Sequence, residues 1–291
     1  INIAASPFSY TKIWGKKNIF LRKAKEYNLP VFYVNQVGAQ TELIFEGASL
    51  AVNPQGMIMD EMNWFSEDYR VYDLENIMRE EVHHETHDST SYIEKIYHGL
   101  VLGLKDFFRK LEFEKAIVGV SGGIDSAVSL ALAVDALGRD NVQAMLLPSG
   151  VSSKSSVTDG EELVNNLGVK YNKISIDNIV DSFDQALSDL FKDTEQDTTE
   201  ENIQARVRGT LLMAVSNKFG NILLNTSNKS ESAVGYATLY GDMNGAVSVL
   251  GDVYKTDLYR LAEFMNSREE LIPYNIIKKT PSAELKPDQK D

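Results

Sequence analysis

The stretch from Lys115 to Leu137 constrains this chain more than any other. Lys115-Ala-Ile-Val-Gly-Val120 is a short apolar strand, Ser121-Gly-Gly-Ile-Asp-Ser126 follows it, and an Ala/Leu-rich helix runs on to about Leu137, with Gly138 placed as a helix C-cap. Two adjacent glycines let the backbone reach positive φ and approach a ligand closely. A helix N-terminus offers unpaired N–H groups and the positive end of a dipole. The hydroxyls of Ser121 and Ser126 add donors. These parts build a cradle for phosphate groups. Asp125 repels phosphate on its own, which points to Mg²⁺ between them. The Lys of the GxxxxGK[ST] loop is missing, which argues against γ-phosphate transfer of that type. A bare Gly-Gly would read as an ordinary turn; the six-residue string between strand and helix does not.

The strand Val142-Gln-Ala-Met-Leu-Leu147 comes next, and Leu223-Leu-Asn-Thr226 offers another. Strand, Gly-rich turn, helix, strand is the opening of a doubly wound parallel α/β sheet. Upstream, residues 1–5 read as a buried strand, Lys16–Tyr27 as a helix ending before Asn28-Leu29-Pro30, and Val31–Asn35 as a strand. Glu42–Val52 reads as one strand broken at Gly47. Asn53-Pro-Gln-Gly56 is a turn signal, with Met57–Met59 as the returning hairpin partner. Tyr92–Leu111 is expected to be a helix, with Ile93, Ile96, Leu100, Leu104 and Phe107 on one face. Between them, residues 80–91 carry three of the four histidines. A metal site competes there with a solvated linker, and the lack of an apolar shell favours the linker.

The chain's 291 residues carry 42 acids against 29 bases, a net charge of −13. That makes a non-specific nucleic-acid or anionic-membrane binder a poor expectation, without excluding a local basic pocket. Cysteine is absent, so these residues supply no disulfide, zinc thiolate or cysteine nucleophile. No apolar run approaches the length of a membrane span, and no secretory signal pattern is visible, so the expected compartment is the cytoplasm. Ile1 opens directly into a strand and the last residues stop without a capping element. We expect a piece of a longer protein.

The loop string resembles that of the N-type ATP pyrophosphatase superfamily, whose members adenylylate an oxygen and then let a nucleophile, often ammonia, displace AMP. Further segments narrow the resemblance. Glu201-Asn-Ile-Gln-Ala-Arg-Val-Arg208 puts Asn202 and Arg206 four residues apart on one helix face, which could otherwise be an exposed basic surface. Leu223-Leu-Asn-Thr-Ser-Asn-Lys-Ser-Glu231, Tyr240-Gly-Asp-Met-Asn-Gly-Ala246, Gly251-Asp-Val-Tyr-Lys-Thr256 and Pro281-Ser-Ala-Glu-Leu285 follow. Together these resemble the NAD synthetase family over residues 113–291. That resemblance implies ATP and Mg²⁺ as cofactors and deamido-NAD as substrate.

Carried over by position, Gly119, Val120, Ser121, Gly122, Gly123, Ile124, Asp125 and Ser126 would hold ATP phosphates, with Asp125 a Mg²⁺ ligand. Thr226 would bind ATP, and Lys255 and Ser282 would meet the pyrophosphate. Asn202 and Arg206 would contact deamido-NAD, Glu231 would bind metal or deamido-NAD, and Asp242 would lie near the reacting carboxylate. Asp125, Asp242 and Lys255 are the expected catalytic groups. Small ammonia-dependent members carry a Lys eight residues after the Glu and an Asp seven further on. Leu239 and Ala246 stand there instead, so the glutamine-dependent branch fits better.

The N-terminal segment agrees with that branch. Asn2-Ile-Ala-Ala-Ser-Pro-Phe8 and Val34–Leu50 resemble the latter part of a nitrilase-like glutaminase domain, in which Ser6 and Lys12 would help bind glutamine. Without the resemblance, Ser6 starts a turn and Lys12 is a surface base. The family's Glu, Lys and Cys glutaminase residues fall upstream of Ile1. The expected organisation is a partial nitrilase-like α/β sandwich with linker over 1–88 and the synthetase domain over 89–291. A homo-oligomer is expected from the same family. Two alternatives stand beside this: another pyrophosphatase-loop amidotransferase such as a GMP synthetase, and a non-catalytic nucleotide-binding fragment.

Overall fold

The structure is a computed structural model that describes residues 1–79, 91–282 and 284–286. The chain divides into two compact units, residues 1–110 and 111–291.

The first unit runs β1 (Asn2–Ala4), α1 (Ile13–Tyr27), β2 (Val31–Asn35), β3 (Val37–Gln40), β4 (Leu43–Glu46), β5 (Leu50–Val52), β6 (Ile58–Glu61), α2 (Leu74–Arg79) and α3 (Tyr92–Lys110). A four-stranded sheet has the order β1-β2-β5-β6. Asn28 takes the left-handed conformation just before Leu29-Pro30 and ends α1. Inside, Ala24, Tyr33, Leu50 and Val52 form a core against which Phe20 stacks, 4.3 Å from the Tyr33 ring. The Asn53 carboxamide accepts from the Gln55 and Met57 amides at 3.1 and 2.8 Å, so the expected turn forms and β6 returns antiparallel to β5.

Two expectations fail here. Glu42–Val52 is not one strand. Gly47 (φ 66°) and Ala48 (φ 49°) both turn left-handed, so β4 closes a hairpin with β3 while β5 joins the other sheet. The opening strand is not buried either. Among the described residues β1 lies at the sheet edge, paired only with β2, and Ile1 and Ile3 are exposed. The α3 stripe is as expected at Ile93, Ile96 and Leu104, joined by Phe108, and the Asp106 carboxylate accepts the Ala39 amide at 2.8 Å to hold the hairpin. The histidine-rich segment, with His83, His84 and His87, lies outside the described residues.

The second unit runs β7 (Ala116–Gly119), α4 (Ile124–Leu137), β8 (Val142–Leu146), α5 (Lys154–Asn166), β9 (Lys170–Lys173), α6 (Asp177–Phe191), α7 (Thr198–Phe219), β10 (Ile222–Asn228), α8 (Lys229–Val234), β11 (Val247–Leu250), α9 (Lys255–Met265) and α10 (Tyr274–Lys278). Its five strands are all parallel, in the order β11-β10-β7-β8-β9. The chain winds outward from β7 to β9, then crosses back through α7 to start again at β10 on the other side of β7. α6 and α7 cover one face through Ile176, Ile203 and Val207, packed on Ile117, Met145 and Leu223. α4, α5, α9 and α10 cover the other. This is the doubly wound parallel sheet expected from the first strand–loop–helix. Such sheets bind ligands where the strand order reverses, beyond the carboxyl ends of the strands; here that point lies between β7 and β10. Among the described residues, no helix is long and apolar enough to cross a membrane.

Candidate active site

The carboxyl ends of β7 and β10 open into a cavity of about 300 Å³, lined by the loop 119–126, the end of β8, part of α7, and residues 279–282, 284 and 285. Gly122 sits at φ +82° against Ser156, a conformation and a closeness that only glycine tolerates. Gly123 caps α4 in extended backbone with no side-chain cap, so the helix end is left for a ligand. The two serines do different work. Ser126 is buried; its hydroxyl donates to the Gly123 carbonyl at 3.0 Å and accepts the Ser121 amide at 3.2 Å, bracing the loop from within. Ser121 is exposed, and its hydroxyl accepts the Gly123 amide at 3.2 Å.

Three elements bring the charged groups together. Asp125 comes from the first turn of α4, Glu231 from α8, and Lys255 from the first residue of α9. Lys255 Nζ pairs with Asp125 Oδ2 and lies 3.9 Å from Glu231 Oε1. Burial, followed by the nearby Asp125 charge, pushes the Glu231 carboxyl above its usual range. Two carboxylates facing a phosphate cradle fit Mg²⁺, which usually takes one or two carboxylates and completes its shell with substrate phosphate and water. Among the described residues no group of three His, Cys, Asp or Glu side chains is placed to hold a metal ion alone. Thr226 and Ser282 also line the cavity.

Asp242 reaches the cavity from a loop that is held at several points. Its carboxylate accepts the Thr238 amide at 2.7 Å, and its carbonyl accepts Asn225 Nδ2 at 2.8 Å. Asn202 and Arg206 do not line the cavity. They share a face of α7, but Asn202 Oδ1 accepts the Thr238 hydroxyl at 2.7 Å, and Arg206 Nε donates to the Leu239 carbonyl at 3.2 Å. They brace the loop that carries Asp242. In the first unit, the Ser6 amide donates to Asn35 Oδ1 at 2.9 Å, and Lys12 is exposed at the start of α1.

Two residues lining the cavity and one beside it were given no role from the sequence. Arg208 is half-buried and donates to the Leu147 carbonyl at 3.0 Å and the Ser149 hydroxyl at 3.2 Å. Glu284 accepts the Ser153 amide (3.0 Å), the Ser153 hydroxyl (2.8 Å), the Ser156 hydroxyl (2.6 Å) and Lys279 Nζ (2.8 Å). Burial alone would raise this carboxyl, but the donors from Lys279, Ser156 and Ser153 outweigh it and hold Glu284 below its usual range. Asn228 is fully buried beside Asp125. Asn228-Lys-Ser-Glu231 carries a capping-box spacing that could have flagged it; nothing local marks Glu284.

The chain is 45% identical to a glutamine-dependent NAD(+) synthetase of Synechocystis sp., over all of this chain and 52% of that protein. It resembles the structure of glutamine-dependent NAD+ synthetase from Acinetobacter baumannii in complex with ADP, with a TM-score of 0.89 and 40% identity, over 98% of this chain and 56% of the other. It also resembles the NMN synthetase of Francisella tularensis, with a TM-score of 0.62 and 30% identity, over 68% of this chain and 79% of that one. The chain thus spans about half the length of the glutamine-dependent relatives it matches. The profile of the NAD synthase family matches residues 96–291, and with the loop, the paired acids and the lysine in place, this chain belongs to the NAD synthase family.

Proposed function

We propose that this chain carries the amide-forming half of a glutamine-dependent NAD synthetase, which converts deamido-NAD to NAD⁺ with ATP. The observation that supports it most is the convergence of Asp125, Glu231 and Lys255 on a phosphate cradle at the switch point of the sheet. A carboxylate is a poor electrophile, and ammonia does not displace its oxygen. An oxygen of the nicotinate carboxylate attacks the α-phosphorus of ATP, and the bond to pyrophosphate breaks. Ammonia then attacks the acyl carbon, the bond to AMP breaks, and a proton is lost.

The chain's residues have separable tasks in this scheme. Loop 119–126 and the α4 N-terminus hold the phosphates. Lys255, freed from Asp125, meets the charge that builds on the leaving pyrophosphate, joined there by Ser282. Thr226 binds ATP from the β10 side. Asp242 lies near the acyl centre, positioned by the loop that Asn202 and Arg206 brace; those two residues and Glu231 remain our proposed contacts to deamido-NAD. Asp125 and Glu231 would hold Mg²⁺, which when bound supplies neutralising charge for the leaving group.

Ammonia would come from glutamine in the intact enzyme, with residues 1–88 part of the glutaminase, Ser6 and Lys12 serving its glutamine site, and 89–291 the synthetase domain. A cytoplasmic homo-oligomer belongs to the same proposal. The test mixes the protein with ATP, Mg²⁺, ammonium and deamido-NAD, and follows NAD⁺, AMP and pyrophosphate. AMP formed with xanthosine monophosphate but not with deamido-NAD would overturn the proposal. AMP formed only with the deamidated form of NMN would move the substrate to the mononucleotide.

A further inference from the structure

We infer that Asn228 is a positioning residue that sets the two acids of the candidate Mg²⁺ site relative to each other. This rests on the proposed function. Asn228 ends β10, is 0% exposed, and caps α8. Its Oδ1 accepts the Ser230 and Glu231 amides at 2.8 and 3.0 Å. Two backbone donors fix which end of the carboxamide is oxygen, so Nδ2 must face the other way. There it donates to Asp125 Oδ1 at 2.7 Å. The backbone amide of Asn228 in turn donates to Glu231 Oε2 at 3.1 Å. One residue therefore grips Asp125 through its side chain and Glu231 through its main chain, although Asp125 and Asn228 are 103 positions apart.

The chemistry of the side chain matters as much as its place. An Asn donor neither adds charge nor competes as a ligand. Each carboxylate oxygen has two acceptor directions, so Asp125 Oδ1 can keep the Asn228 bond and still face a cation. A cap alone would need only an oxygen, which Ser or Asp supply about equally well. The extra requirement here is a donor on the far side of the same group. Partners behind a metal ligand typically change metal affinity about 10–100-fold when removed.

The test is Asn228→Ser, which keeps a capping oxygen and loses the Asp125 bond. Mn²⁺ binding is measured by electron paramagnetic resonance in the presence of a non-hydrolysable ATP analogue, alongside the melting temperature. The expected result is Mn²⁺ affinity weakened ~10-fold or more with the fold retained. Tight Mn²⁺ binding by the wild type and equal binding by folded Asn228→Ser would reduce Asn228 to a helix cap and overturn the inference alone. Absence of Mn²⁺ binding by the wild type would overturn the cation site itself. If Asn228→Ser does not fold, the unaltered protein decides. The ¹⁵N side-chain amide signal of Asn228 shifts on adding Mg²⁺ with the analogue; a signal unmoved under saturating Mg²⁺ overturns the inference.

Discussion

Gly122 packs so closely on Ser156 that a methyl group on its Cα would overlap the Ser156 carbonyl oxygen and lie 2.8 Å from the carbonyl carbon. The same glycine has φ +82°. Gly122→Ala therefore suffers twice: about 1–2 kcal/mol for the left-handed backbone and about 1–3 kcal/mol for overpacking. Chemical denaturation should show destabilisation of about 2–5 kcal/mol by adding these, and ATP binding should be lost in whatever fraction still folds.

Asp125→Asn removes a charge while keeping the shape. The variant should retain the circular dichroism spectrum and lose AMP formation by about 10²–10³-fold, the size seen when one group that stabilises developing charge is removed. Near-normal turnover would take Asp125 out of the proposed metal site.

Glu284 gives a pH signature. Its carboxyl titrates below the usual 4.5 in the folded protein, so the charged form is the one the fold favours. The stabilisation is complete above about pH 4.5 and fades as the pH falls through the lower folded value. Glu284→Gln should lower stability near pH 7 by about 1.5–3 kcal/mol, the scale of hydrogen bonds to a charged group. The gap between the melting temperatures of wild type and variant should narrow as the pH falls below about 4.5. A gap that stays constant from pH 8 to pH 3 would assign the loss to something other than the charge.

Gly209 bears on Asp242 from a distance. A methyl group there would come within 2.5 Å of Asn244 Nδ2 and 2.7 Å of the Gly241 carbonyl. Gly209→Ala should push the loop 240–244 off α7 at a cost of about 1–3 kcal/mol. In steady-state kinetics, KM for deamido-NAD should rise more than KM for ATP. An unchanged ratio of the two would mean that the loop does not serve the dinucleotide.

The parts legible in the sequence were local ones. β7, its loop and α4 declare themselves because strand, glycines and helix are adjacent, and the Asn53–Gly56 turn does so for the same reason. The break at Gly47 was visible, but the assignment of β4 and β5 to different sheets was not, because it depends on a second left-handed residue, Ala48, that no local rule favours. Spacing placed Asn202 and Arg206 on one face of a helix. It could not say that this face grips residues 238 and 239 rather than the cavity. Glu284 is 128 positions from Ser156, and only the folded chain reveals that a carboxylate from one end crowns the helix start at the other.

β7 and β10 lie side by side, with Ile117 opposite Leu223, about a hundred residues later in the chain. During synthesis the phosphate loop therefore emerges well before the strand that completes its opposite wall. At about 5–20 residues per second the delay is roughly 5–20 s. Throughout that interval the growing chain displays only one wall of the candidate site, and the two walls meet only when β10 pairs with β7.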